Sequence, residues 1–301
     1  MILIVGATGI VGGMIARQLL EQEKEVRILV RENSPSEQMA PQGMATSAQS
    51  LIEAGAKPAY GDLKDEKSIR RAVEGVQTVI SSANSALRGG EDNVQNVDRE
   101  GNRRLIEAAA AAGVDHFIFV SALGATPDSP SDFMRAKAEA EQRLRDSGMN
   151  YTIVAPTAFF ESWPAMVVGM PALQEQPVTL VGEGRRLHSF VSNRDVAAFV
   201  VTMVDNPQAR NQYLPLGGPQ ALSWRDVVAT YERVLGRDIP VNWVAPGDPV
   251  PGLPDPMPAL LAAQETYDSA VPMEETAAQY GVELTSLEDF ARRQAAMQST
   301  A

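Results

Sequence analysis

Near its start the chain runs through Ile2-Leu3-Ile4-Val5 straight into the glycine turn Gly6-Ala7-Thr8-Gly9-Ile10-Val11-Gly12, after which apolar residues recur at helical spacing. A strand that turns on glycine into a helix narrows the choice of fold more than any other feature of this chain. Glycine admits positive φ and lets a backbone or ligand approach closely. The start of the helix presents free N–H groups and a partial positive charge. In this context the turn is expected to cradle a dinucleotide pyrophosphate, the plain alternative being a tight turn without a ligand.

The alternation continues along the chain. Strand-like runs at Ile2–Val5, Glu25–Val30, Lys57–Tyr60, Thr78–Ser81, His116–Ser121 and Tyr151–Ala155 are separated by helical patterns. Those patterns cover Gly12–Glu21, Thr46–Glu53, Lys67–Val73, Val94–Ala112 and Asp132–Asp146, and Gly113 and Gly148 stand where a left-handed residue ends a helix. The expected fold is α/β, a doubly wound parallel sheet (Rossmann fold) with a small C-terminal substrate lobe.

After Ala155 prolines and glycines break the rhythm. The reading assigns 1–155 and 186–215 to the dinucleotide-binding domain, with Leu187–Asp205 returning to the main sheet. It assigns 156–185 and 216–301 to the substrate lobe, with helices near Ser223–Leu235, Met257–Tyr267 and Met273–Tyr280. Ser192 with Asp195, and Thr285 with Glu288, have capping-box spacing.

Composition enters through the partners it disfavours. Against 26 basic residues the chain carries 38 acidic ones, a formal charge of −12, which repels nucleic acid and anionic membranes. It has no cysteine, which excludes disulfides, thiolate metal sites and cysteine nucleophiles and fits a cytoplasmic protein. Met1 leading directly into a strand reads as a mature N-terminus, and the apolar run Val196–Val204 falls far short of the roughly 20 residues that span a bilayer. With only His116 and His188 and no cluster around either, no metal site is expected. His116, at the head of a strand, reads as structural, whereas His188 could reach a substrate and move a proton.

Several side chains are candidates for the ligand site. Arg31, just past the second strand, stands where an acidic residue would accept hydrogen bonds from a ribose 2′-OH; an arginine there suits a 2′-phosphate instead. This favours NADP(H) over NAD(H), the alternative being a solvated arginine beside Glu32. Asp62 and Leu63 end the third strand where adenine could lie, and Asp62 could instead cap the next helix. Phe133, Phe159, Phe160 and Trp163, with Met166 and Met170, read either as an apolar wall for an aromatic substrate or as core.

In order along the chain, GATGIVG, VRILVR to Arg31, GDL at 61–63, VISSAN at 79–84, EAAAAAGVDHFIFVSALGA at 107–125, PTAFFESW at 156–163, FVSNRDVA at 190–197 and YGVELTSLEDF near the end resemble the NmrA-like branch of the atypical short-chain dehydrogenases/reductases. The resemblance implies that Gly6, Thr8, Gly9, Ile10, Gly12, Arg31, Ser81, Ser82, Ala83 and Pro156 line the dinucleotide. It also places Phe133 and Lys137 on the Tyr-x-x-x-Lys pair of short-chain dehydrogenases, so the lysine is kept and the phenol is missing. Lys137 is then either a general acid or an anchor for the nicotinamide ribose, the plain alternative being a surface lysine. Ser121, at the end of the fifth strand, falls where the superfamily often orients a substrate carbonyl, the plain alternative being a polar strand end.

Two functions follow as expectations. One is an NADPH-dependent reductase of a small apolar or aromatic carbonyl, quinone or enone, with Lys137, Ser121 and His188 as candidates for proton transfer. The other is an NADP(H)-sensing regulator without catalysis. A third, a sugar-nucleotide epimerase or dehydratase, needs the missing tyrosine.

Overall fold

The computed structural model describes residues 1–31, 46–86, 88–254 and 257–298. Glu32, the alternative partner of Arg31, lies outside them.

Among the described residues seven strands make the main sheet: β1 (Ile2–Val5), β2 (Val26–Val30), β3 (Lys57–Tyr60), β4 (Thr78–Ser81), β5 (His116–Val120), β6 (Asn150–Pro156) and β9 (Gln212–Leu216), in the order β3-β2-β1-β4-β5-β6-β9. The pairings from β3 through β6 are parallel. Every residue of β1, β4 and β5 is buried, as a sheet covered on both faces requires. The sequence reading missed β9. Pro215 removes a ladder donor, and such a strand is tolerated at an edge, which is where β9 lies.

The strand order reverses between β1 and β4, the switch point beyond whose carboxyl ends open α/β sheets bind ligands. The register sets Val5 opposite both Leu29 and Ser81, so the turns at Gly6 and Ser82 leave the sheet side by side.

The covering helices are α1 (Ile10–Glu21), α2 (Ala48–Glu53), α3 (Glu66–Val73), α4 (Glu100–Ala111) and α5 (Asp132–Arg145). A π-helical turn, Val94–Arg99, runs into α4. Gly113 and Gly148 take φ of +72° and +77° just past α4 and α5, as expected. α3 is far too short to be stable alone. Its Ile69, Ala72 and Val73 are almost fully buried with Leu105, Phe117 and Phe119, and each large side chain so buried contributes about 1.5–3 kcal/mol relative to exposure. Packing rather than propensity holds it.

Contacts divide the chain into one unit of 1–155 with 196–215 and another of 156–195 with 216–301. The segment 186–195, expected with the main sheet, belongs to the second unit: β8 (His188–Ser189) pairs with β10 (Ala221–Leu222) in a separate two-stranded sheet, and Ser189 N donates to Ser269 O. That unit also holds α6 (Met170–Leu173), β7 (Val178–Val181) paired with β11 (Val241–Val244), α8 (Trp224–Leu235), α9 (Met257–Gln264), α10 (Glu274–Tyr280) and α11 (Leu287–Gln298). α7 (Asn193–Met203) carries residues of both units.

Two helix starts differ from their sequence pattern. Asp195 turns from its own helix to accept from Thr285 N and Oγ1, each at 2.7 Å, while Glu161 accepts from Asn193 N. With Thr285 engaged there, the capping pair of α11 moves one residue on: Asp289 N donates to Ser286 Oγ, which in turn donates to Asp289 Oδ2. Among the described residues no helix is long and apolar enough to cross a membrane.

Candidate cofactor and active site

The end of β1 and the start of α1 leave almost no room. Gly6 has φ +94°, and a Cβ there would lie 2.8 Å from both Ala83 N and Ser82 Oγ. A Cβ on Gly12 would overlap the Gly6 carbonyl oxygen. Both positions therefore require glycine, one for its conformation and one for close packing of the helix on the turn. Gly9 precedes α1 and no side chain caps that helix, whereas Asp65 caps α3 and Ser131 caps α5. Thr8 and Ile10 are half-buried beside the turn. Ser82 Oγ is buried and, among the described residues, has no hydrogen-bond partner. An uncapped helix start, a glycine cradle and an unpartnered hydroxyl fit the pyrophosphate of a dinucleotide.

Ser81 is more deeply placed. Its hydroxyl, fully buried, donates to Asn102 Oδ1 at 3.0 Å and is committed to the interior. Pro156 is buried at the end of β6.

Arg31 is half-buried and not free. It donates to Asp92 Oδ2 at 2.8 Å and lies 4.0 Å from Asp62. Asp62 accepts from Lys64 N in a local turn, and the cap of α3 that it might have supplied comes from Asp65. Leu63 packs into the core, closely enough that a Cβ on Gly101 would lie 2.8 Å from its Cγ.

Lys137 sits on the face of α5 against β5 and is 2% exposed, which removes the surface-lysine alternative. Its Nζ donates to Val120 O at 3.1 Å and lies 4.8 Å from the centre of the Phe119 ring and 5.4 Å from that of Phe133. Burial pulls its pKa down, and the carboxylates of Asp98 and Glu141 oppose that shift. Asp98 is fully buried in the π-helical turn; burial pushes its carboxyl up, Lys137 opposes this, and Ser85 N donates to it at 3.0 Å. Glu141 accepts from Ser121 Oγ at 2.6 Å and pairs with Arg145 at 3.0 Å. The Lys137 ammonium thus feels two buried carboxyl groups, one from the π-helical turn and one from its own helix.

That arrangement corrects the expectation for Ser121: its proton goes to Glu141, so as placed its hydroxyl can accept but not donate. The other candidates belong to the second unit. His188 is 2% exposed, its Nδ1 lies 2.8 Å from Ser269 Oγ and Tyr267 meets its ring edge-on. Burial pulls its pKa down, which Asp268 opposes, and Nδ1 is engaged with Ser269. Phe160 is 1% exposed and stacks on Phe290, so it is core; Trp163 and Met166 pack partly buried against that core, Phe159 bridges to Val191, and Met170 is exposed. Phe133, of the expected aromatic wall, stands beside Lys137.

Sequence reasoning missed Asp98, Asn102, Glu141, Lys64, Arg88 and Asp92. Asp98 and Asn102 carry the one available signal, polar residues on the otherwise apolar face of Val94–Ala112. Among the described residues no group of three or more His, Asp or Glu side chains could hold a metal ion.

A family model described as the NmrA-like family matches residues 1–291. The NAD(P)H azoreductase of Xenophilus azovorans is 33% identical over 81% of this chain and 77% of its own length. The photosystem II assembly factor Ycf39 of Cyanophora paradoxa is 31% identical over 81% and 71%. Among solved structures, the NADPH-dependent quinone oxidoreductase QOR2 of Escherichia coli complexed with NADPH superposes with a TM-score of 0.79 over 97% of this chain and 99% of that one, at 22% identity. The match over nearly its whole length, on a sheet that reverses at a glycine-turn cradle, shows that the chain belongs to the NmrA-like family.

Proposed function

We propose that the chain is an NADPH-dependent reductase of a small apolar carbonyl, quinone or enone. The observation that carries this reading is the cradle in which Gly6 and Gly12 leave no space for a Cβ beside the buried, unpartnered Ser82 hydroxyl. Similarity to an azoreductase, and a fold shared with a quinone oxidoreductase, support it and add azo compounds to the substrates to be screened.

The bound nicotinamide would supply the hydride. The chain's own residues do the rest. The first-turn N–H groups of α1 hold the pyrophosphate, Gly6 and Gly12 let the turn close tightly on the start of α1, and Arg31 favours a 2′-phosphate over a bare ribose. Lys137 holds a proton that burial makes easier to release than that of a free lysine. Asp98 and Glu141 keep it charged until it is needed, and Phe133 screens it from water.

Titration of the purified chain with NADPH and NADH, beside an Arg31→Ala variant, tests the cofactor assignment. Preference for NADPH that the variant loses supports it, and equal affinities in both proteins refute it. A second reading, a sensor that binds NADP(H) without turnover, is favoured by Phe133 in place of a phenol and by the seal over Lys137.

A further inference from the structure

The loop after β4 sends one carboxylate into a group of cations. Asp92 Oδ2 accepts from Arg31 at 2.8 Å and lies 3.6 Å from Arg88, while Oδ1 accepts from Lys64 at 2.8 Å. The three cations come from the end of β2, the turn after β3 and the loop after β4, and the Asp92 side chain is less exposed than any of them. Burial pushes the Asp92 carboxyl up, and the bonds from Lys64 and Arg31 outweigh it, so the group stays ionised below the usual carboxylate range. Among the described residues, Asp62, 3.7 Å from Lys64, and the exposed Glu91, 3.9 Å from it, are the other acids facing the group.

All three cations converge on Asp92, while Asp62 and Glu91 stand farther from them, so their seat is held mainly by one carboxylate. It offers two oxygens and a single charge, whereas a phosphate monoester offers three oxygens and nearly two charges. The loop backbone is held by Asp92 N donating to Gly89 O, Asn93 Nδ2 to Gly90 O and Asn96 Nδ2 to Glu91 O, which leaves the Asp92 side chain as the part that can turn away.

Resting on the assignment of Arg31 to the 2′-phosphate, we infer that Asp92 is an internal stand-in for that phosphate, and that NADP(H) binds by displacing it and taking over Arg31, Lys64 and Arg88. NADH has no group to displace it, so Asp92 and Lys64 set the discrimination between the two cofactors. Asp92 also opposes NADPH, because its bonds must be broken first.

The test is calorimetric titration of the full chain and of the Asp92→Asn, Lys64→Ala and Arg31→Ala variants with NADPH, NADH, adenosine 2′-monophosphate and inorganic phosphate. Asp92→Asn is expected to tighten NADPH and adenosine 2′-monophosphate by about tenfold and to shift NADH by less than about twofold. Lys64→Ala is expected to weaken NADPH by about tenfold with NADH little changed. If Arg31→Ala abolishes NADPH preference while Asp92→Asn leaves NADPH affinity unchanged or weaker, the cofactor assignment stands and the stand-in is overturned. If wild type and Arg31→Ala bind NADPH and NADH alike, both fall. If inorganic phosphate binds the Asp92→Asn protein as tightly as adenosine 2′-monophosphate does, the seat is a general phosphate site and the inference is overturned.

Discussion

The Lys137 ammonium lies 5.4 Å from the centre of the Phe133 ring, one helical turn earlier on the same face of α5. The resemblance puts this ring where short-chain dehydrogenases have the tyrosine of their Tyr-x-x-x-Lys pair, and a phenyl ring screens the charge without being able to pass a proton. Phe133→Tyr restores a phenol beside a cation that would lower its pKa. Turnover of a carbonyl substrate is expected to rise by about 10²-fold, the lower end of what a positioned acid contributes. Steady-state kcat on one ketone, wild type against variant, checks it; an unchanged kcat would mean that this face of α5 does not serve the reacting atoms.

Lys137→Met keeps the length of the side chain and deletes the charge that faces Asp98 and Glu141. It also leaves the buried Val120 carbonyl without the Lys137 donor, at a cost of about 1–3 kcal/mol. The loss has a pH signature. Burial already raises the Asp98 pKa, and a group whose folded pKa exceeds its unfolded value loses its contribution as pH rises through the folded value. Without Lys137 that pKa rises further, so the variant's deficit in urea unfolding should be larger at about pH 8 than at about pH 5. Equal deficits would show that Asp98 does not depend on Lys137.

His116 provides an internal gauge of acid stability. Thr152 Oγ1 gives its proton to Ala209 O, so His116 must donate through Nε2, and burial lowers its pKa from 6.5 to about 4. Between those values the unfolded chain binds a proton that the folded chain refuses, and stability falls as the pH falls, by about 3 kcal/mol in all. His116→Gln keeps a donor near the Nε2 position and removes the titration. Its unfolding free energy is expected to lack that slope; a slope identical to wild type would assign the acid sensitivity to other groups.

Gly12→Ala reverses the usual helix preference. Alanine in a helix interior is worth up to about 1 kcal/mol over glycine, but here the added methyl overlaps the Gly6 carbonyl oxygen and would stand 2.6 Å from Ser82 Oγ. The variant is expected to lose about 1–3 kcal/mol of stability and to bind NADPH at least about tenfold more weakly, because the turn must open to relieve the overlap. Thermal unfolding and a cofactor titration read the two effects separately. A variant as stable and as tight as wild type would contradict the cradle.

The sheet was legible because its strands are short apolar runs punctuated by glycine, and the glycine turn because its spacing is read within a few residues. β9 was not, since Pro215 hides an edge strand whose pairing depends on a distant segment. The second unit was misdrawn at 186–195 for the same kind of reason: His188 and Ser189 find their partners at Ala221, Leu222, Ser269 and Val271, which no local pattern announces. Within the site, Lys137 was found from spacing, but its carboxylate neighbours were not. Asp98 looks like one more polar helical residue until the π-helical turn carries it inward, and Glu141 looks like half of a surface pair with Arg145. Phe159 and Phe160 show the limit of composition: adjacent aromatics went to different surroundings, one to a bridge with Val191 and one to a stack on Phe290.

The reductase reading is tested most directly by mixing the purified chain and NADPH with 1,4-naphthoquinone and following nicotinamide absorbance and quinone loss together, with Lys137→Met in parallel. Stoichiometric NADPH oxidation, saturable in quinone and slowed about 10²-fold or more in the variant, is the expected result. Saturable NADPH binding with no oxidation across quinones and enones would contradict it and leave the chain a cofactor sensor.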